Sequence, residues 1–391
     1  MSQEIPSLPI IFQVGEPPVP ITAADAQWHL PLPADRQAGP SALPSVRYGD
    51  YFTAAADYLH AEGRSALTEA VRHGLGRDAA LRALTGLQVH LVKHGAFYHP
   101  ARVTVAIGAR KLDLVLNVAV SPAGRERLAA EAGHLSHLSS EFSLRFTPRV
   151  YGWGFGRIAG QEPLPMFLGE WLDGFHELHP CAAPGGQQPW VVWDPQQGRW
   201  PLSPRQIADL FSQAVFILTC YFDPITLAAV QGWHHAAGDF VVRARGLGLE
   251  VRLITVRRYA PLFQLETEEA PTLERLLEAL TLFFLRTSLW MRLDRLDGVG
   301  DLTWAGDATL MPMWHGFVHG LKHMARHHDF PESIVAEVVA YLAGHGRQGW
   351  LDLGEMLLTR FPADLPEAAL LRRHLASHAA HLTEVIAAHR S

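Results

Sequence analysis

Hydrophobic positions along the chain change their period more than once. Over residues 48–86 they keep helical spacing, with Tyr51, Phe52, Ala55 and Leu59 on one face and then Leu67, Val71 and Leu75. From Leu87 the period shortens: Leu87–Lys93, Val103–Ile107 and Leu114–Val120 are β-branched runs separated by turn-prone residues, and they predict strands. Arg125–Leu138 returns to helical spacing through Leu128, Ala132, Leu135 and Leu138, and Phe146–Gly152 and Met166–Trp171 read as two further strands. The predicted order is three strands, a helix, two strands.

The second half is mostly helical. Ser203-Pro204-Arg205-Gln206 is a capping box with proline at N1, and Ile207, Leu210, Phe211, Ala214, Val215 and Leu218 continue the helix behind it. Phe240–Arg243 and Val251–Tyr259 predict a strand pair around Gly246-Leu247-Gly248. Four helices follow, over roughly 272–296, 308–328, 331–343 and 365–388. The domain reading is an extended proline-rich strap over 1–47, a helical extension over 48–86, a small β-rich lobe over 87–175 and a larger helical lobe over 176–391.

Composition narrows the classes. Nine of the 27 prolines fall within residues 1–44, which excludes a helix or a central strand there. Ile10, Ile11, Phe12 and Trp28 in the same stretch need apolar surface, so it is expected to lie ordered across the body. With 33 Lys+Arg against 39 Asp+Glu, a net charge of -6 gives no basic surface for nucleic acid. The apolar run Leu276–Met291 is interrupted by Glu278 and Arg286 and is too short for a span, so no membrane partner and a cytoplasmic location are expected. Two cysteines, Cys181 and Cys220, make neither a disulfide framework nor a four-thiolate zinc site, and both read as buried thiols.

The element order resembles the protein-kinase-like fold in its aminoglycoside and choline phosphotransferase branch, an α+β class with a small antiparallel β lobe and a larger helical lobe. The resemblance covers residues from about 87 to 260 by element order, with motifs of low specificity. It implies ATP as cofactor and places the family's functional positions one by one. Asn117 falls where the third strand carries its lysine, and Glu131 where the following helix carries its glutamate. Gly95 lies in the first turn, Lys93-His94-Gly95-Ala96-Phe97-Tyr98-His99-Pro100, whose single glycine cannot build a multi-amide phosphate cradle. His234 falls on the catalytic aspartate position, Asp239 on the metal-binding asparagine, and Arg257 on the metal-binding aspartate. A guanidinium there repels Mg²⁺. Without a lysine at 117, Glu131 needs Arg257, His234 or water as its partner.

Trp233-His234-His235-Ala236-Ala237-Gly238-Asp239 has the composition of a site loop. His234 and Asp239 are the candidate catalytic pair, and Asp239 is also the candidate metal ligand. The other reading of the same stretch is a packed loop in which Asp239 pairs with Arg257 or Arg243. His315, His319, His323 and His327 recur at steps of four, so one pair is spaced to bind Zn²⁺, yet a solvated face has the same spacing. His374, His378 and His381 repeat the theme. His176-Glu177-Leu178-His179 reads either as the rim of a cleft or as core flanked by polar residues.

Three functions remain open from sequence. One is a kinase-like pseudoenzyme with Mg²⁺-independent nucleotide binding or none, acting through contacts with a protein or a small molecule. The second is an atypical phosphotransferase using His234 and Asp239. The third is a metal-dependent enzyme built on histidine clusters.

Overall fold

A computed structural model describes residues 8–33, 46–61, 63–76, 84–95, 97–233, 239–263, 271–327, 333–362 and 365–389. The backbone divides into two units, Met1–Asp173 and Gly174–Ser391, and the chain as a whole is α+β. Among the described residues no helix is long and apolar enough to cross a membrane.

The first unit is built on a seven-stranded sheet. Its strands are β1 (Ile10–Val14), β2 (Val19–Ile21), β3 (Leu84–Leu91), β4 (His99–Ile107), β5 (Arg110–Val118), β6 (Val150–Gly156) and β7 (Leu164–Glu170), in the order β2-β1-β3-β4-β5-β7-β6. The five strands from β3 to β7 pair antiparallel, whereas β1 runs parallel to β3. Strict alternation of buried and half-buried residues along β4 explains why it was legible as a strand. The turn after it is a two-residue hairpin, Ile107 opposite Arg110, with Gly108 at φ +56° in the first central position that a type II′ turn requires.

One face of this sheet, carrying Val89, Val103, Val105, Leu114, Leu116, Met166 and Leu168, is covered by α2 (Tyr48–His60) and α3 (Gly63–Leu75). Tyr51, Phe52, Tyr58, Leu67 and Val71 form the helical side of that core. The N-terminal strap adds β1, β2 and the short α1 (Ala26–His29). Its Trp28 ring lies on Gly49, where an added Cβ would sit 2.1 Å from Nε1, and stacks near Phe52 with centroids 6.0 Å apart. On the other side of β7 and β6 packs α4 (Pro122–Glu141), capped by Ser121 and buried through Leu128, Glu131, Ala132, Leu135 and Leu138.

Strand β6 differs from expectation in place. The predicted strand stopped at Gly152, but β6 runs through Tyr151-Gly152-Trp153-Gly154-Phe155-Gly156. Glycine is a poor strand former, which hid it. Its presence follows from the close approach of the helices: an added Cβ would come within 2.1 Å of the Ala54 carbonyl oxygen at Gly156 and 2.7 Å of Ala66 Cβ at Gly152.

In the second unit, β8 (Glu177–Pro180), β9 (Trp190–Asp194) and β10 (Gly198–Pro201) form a small antiparallel sheet ahead of α5 (Pro204–Cys220). The expected capping box of α5 is present, Gln206 N–H donating to Ser203 Oγ and Ser203 N–H to Gln206 Oε1. After β11 (Ala228–Gln231), β12 (Phe240–Arg245) and β13 (Gly248–Leu253) form the predicted hairpin. Its second strand ends at Leu253 rather than Tyr259, because β14 (Arg258–Pro261) pairs with β11 instead. Helix α6 (Leu273–Trp290) is shorter than predicted, since Leu293–Arg295 turns into β15 and pairs with β16 (Leu302–Trp304). Among the described residues four more α-helices follow: α7 (Leu310–His327), α8 (Ser333–Gly344), α9 (Gly346–Leu358) and α10 (Pro366–Ala387).

Arg292 shows why the chain leaves helical conformation there. Its guanidinium, 1% exposed, donates through Nε to Ala305 O at 2.8 Å, through Nη2 to Asp307 Oδ1 at 2.6 Å and through Nη1 to His378 Nδ1 at 3.1 Å. Arginine only donates, so Nδ1 of His378 accepts and Nε2 carries the proton, which it gives to Ser288 Oγ at 3.0 Å. Burial, and then the charges of Arg292 and His381, hold His378 well below the usual imidazole range. The unfolded chain therefore takes up a proton near pH 6.5 that the folded chain refuses, and stability present above that pH is lost as pH falls below it. We expect denaturant midpoints to fall between pH 7 and pH 5, with His378 alone contributing up to about 1.4 kcal/mol per pH unit. His378→Asn should flatten the slope. An equal slope in wild type and variant would remove His378 as its source.

Candidate functional site

The sequence-predicted site residues fall in both units. Gly95, Asn117 and Glu131 belong to the first, Asp239 and Arg257 to the second, and His234 lies outside the described residues together with the rest of 234–238.

In the first unit, the turn between β3 and β4 is tied down at several points. Gly95 N–H donates to Tyr98 O at 2.9 Å, and an added Cβ at 95 would lie 2.7 Å from that same oxygen, so only glycine closes the turn without displacement. Its amide is thus turned to the chain's own carbonyl. Phe97 lies against α4, where its carbonyl oxygen would be 2.3 Å from a Cβ on Gly124 and the Arg127 guanidinium sits 4.1 Å over its ring. The next residue, Tyr98, donates its hydroxyl to Glu131 Oε2 at 2.7 Å. On the other side, His94 Nδ1 and His99 Nδ1 are 2.9 Å apart, and Tyr51 donates its hydroxyl to His99 O at 2.8 Å.

Glu131 is thereby provided for in a way the sequence did not reveal. Its carboxylate is buried on the inner stripe of α4 and is bonded by a neutral phenol. The tyrosine lies three residues after the turn glycine, and aromatic residues following a lone turn glycine were the available signal. Asn117 stands half-buried on β5, opposite Pro100 of β4 and Phe167 of β7. Its parity places it on the sheet face away from the α2 and α3 core, the face over which α4 packs.

In the second unit, Asp239 is 1% exposed at the start of β12. Arg257, in the segment after β13, meets it as a fork: Nη1 donates to Oδ2 at 2.5 Å and Nη2 to Oδ1 at 2.6 Å. Nη1 also donates to Gly232 O at 3.2 Å, and the Asp239 carbonyl accepts from Ile254 N–H at 2.9 Å, so β12 and the 254–257 segment are stitched on either side of the ion pair. The ion pair of Asp239 with Arg257, which one sequence reading gave, is present. Arg243 instead bonds Glu250 at 2.7 Å. Mg²⁺ takes oxygen ligands in near-octahedral geometry. Here both oxygens of the carboxylate accept from a guanidinium, and a second positive charge at that spot is repelled.

Leu178 is fully buried and His179 nearly so, with Nδ1 3.6 Å from Asp294 Oδ1, while His176 Nε2 lies 3.4 Å from Asp194 Oδ2. Backbone amides of Gln196 and Gln197 hold Asp194 below the usual carboxylate range. Cys181 and Cys220 are both free and buried, and burial pushes both thiols up. Among the described residues no three or more His, Cys, Asp or Glu side chains gather as a metal site.

No protein-family model matches this chain, and no curated protein sequence does. Among solved structures, WaaP in complex with acyl carrier protein is similar over 62% of this chain and 84% of its own, at 11% identity and a TM-score of 0.28. Choline kinase from Cryptosporidium parvum Iowa II is similar over 82% of this chain and 98% of its own, at 8% identity and a TM-score of 0.32.

Proposed function

We propose that the chain is a kinase-like pseudoenzyme whose metal position is closed by its own ion pair, and that it acts through contacts with a protein or a small-molecule ligand. The observation that carries this reading is the Asp239–Arg257 fork: the one carboxylate the sequence offers as a metal ligand has both oxygens on a guanidinium. Phosphoryl transfer of the kinase type depends on metal ions that neutralise charge on the transferring group. An arginine can meet phosphate oxygens directly, but it cannot hold the ion. Two features of the first unit support the same reading. Asn117 gives no cation for phosphates, and Gly95 donates its amide to Tyr98.

The expected result is weak ATP binding, or none, with no gain from Mg²⁺. Calorimetric titration of the full chain with ATP, with and without Mg²⁺, measures it. A tenfold or greater tightening by Mg²⁺, about 1.4 kcal/mol, would overturn this reading and revive phosphoryl transfer.

A further inference from the structure

The sequence singled out the histidines of α7, and the structure brings one of them to a partner that sequence spacing does not show. His315 is exposed on α7, and His389, exposed just beyond the end of α10, faces it with Nε2 to Nε2 at 3.0 Å. Their rings are 5.0 Å apart at 75°. Two metal–imidazole bonds of about 2.0 Å, opened to angles between square-planar and tetrahedral, place the ligating nitrogens roughly 2.8–3.3 Å apart. The observed separation falls inside that interval.

A second observation concerns the proton on His389. Its Nδ1 lies 3.0 Å from Val385 O, and a carbonyl only accepts, so Nδ1 carries the hydrogen and Nε2 presents a lone pair toward His315. A ligating histidine is typically fixed in this way, one ring nitrogen donating to a backbone carbonyl while the other is left for the metal. His315 Nε2 at present supplies the hydrogen between the rings. Moving that proton to Nδ1, through solvent at an exposed ring, releases its lone pair as well.

We infer that His315 and His389 form a two-imidazole site for a borderline transition-metal ion, of the class Zn²⁺, Ni²⁺ or Cu²⁺. No third side chain joins them among the described residues, so water completes the coordination. The site differs in kind from the pairs along α7 itself. His323 and His327, with rings 4.4 Å apart, are neighbours on one helix. His315 and His389 are 74 residues apart and meet only in the folded chain. An ion bound between them clamps the end of α10 to α7 and stabilises the fold by mass action.

The test uses the full chain. Thermal unfolding is followed with Zn²⁺, and separately with Ni²⁺, at increasing concentration up to the millimolar range, for wild type, His315→Ala, His389→Ala and His323→Ala. The expected result is a metal-dependent rise in Tm for wild type and His323→Ala that is lost in both of the other variants. Because the altered side chains are exposed, each variant's own Tm without metal is the control for folding. A second readout is fluorescence quenching by Cu²⁺, since the Trp314 ring lies 6.5 Å from His389. Half-maximal quenching should need at least tenfold more Cu²⁺ in His389→Ala. A rise in Tm that survives in His315→Ala and His389→Ala, or no rise in wild type with either ion, overturns the proposal.

Discussion

Replacing Arg257 with alanine is expected to lower the stability of the second unit by about 3 kcal/mol. The variant leaves the Asp239 carboxylate in place, 1% exposed, without the two bonds that meet it now at 2.5 and 2.6 Å. Removing one partner of a buried pair costs about 3–5 kcal/mol, and since the Arg257 side chain is itself 23% exposed, water reaches part of the vacated space and the lower end applies. Replacing both residues with apolar ones of similar size, Asp239→Leu with Arg257→Met, should recover most of that loss, because no charge is then left buried. Urea unfolding of the three variants measures the asymmetry. A loss under about 1 kcal/mol for Arg257→Ala would mean that Asp239 is solvated. The carboxylate would then be free to meet an ion, and the proposed function would lose its main support.

The second large effect belongs to a helix crossing. Helix α7 meets α5 through Gly316 and Gly320. A Cβ on Gly316 would stand 2.1 Å from the Ser212 carbonyl oxygen, 2.9 Å from its carbon and 3.1 Å from Phe216 N. These are backbone atoms of a capped helix and cannot rotate aside. Gly316→Ala gains up to about 1 kcal/mol of helix propensity, but it forces α5 and α7 apart, so we expect a net loss of about 3 kcal/mol. Gly133→Ala on α4 is the matched control. Nothing lies within 4 Å of the added Cβ there, so propensity acts alone and the variant should be neutral or more stable by up to about 1 kcal/mol. Equal effects at the two positions would contradict the close crossing.

What the sequence revealed and what it hid follow from range. The strands β3, β4 and β5 were legible through their alternation and the helix α4 through its stripe, whereas β7 was legible as a short apolar run that is buried on both faces. The parallel pairing of Ile10 with Leu87 was not, since no local pattern specifies a partner 77 residues away. The three-residue strand β15 was absorbed into the predicted helix over 272–296, and its partner β16 fell between two predicted helices, because both are held by what Arg292 needs rather than by their own propensity. At the site, an ion pair at Asp239 was legible from its charge, with Arg257 and Arg243 both open as its partner. Tyr98 and His389 were not, since a hydroxyl or an imidazole shows nothing of its partner in the sequence.

The N-terminal strap has one more consequence, which concerns self-association. A sheet edge offers unpaired amides and carbonyls to any other extended chain, and β1, with Ile11 exposed on it, would be such an edge if it were outermost. It is not outermost. Strand β2 folds back over it, and β2 is only three residues long with Pro20 at its centre. A proline has no N–H to give, so the margin of the sheet ends on a strand that is too short and too poor in donors to template another molecule. The proline content of this stretch did not keep it from forming the one-turn helix α1 or from placing β1 between two strands, since Ile10–Val14 carries no proline, but Pro20 keeps that side of the sheet from growing.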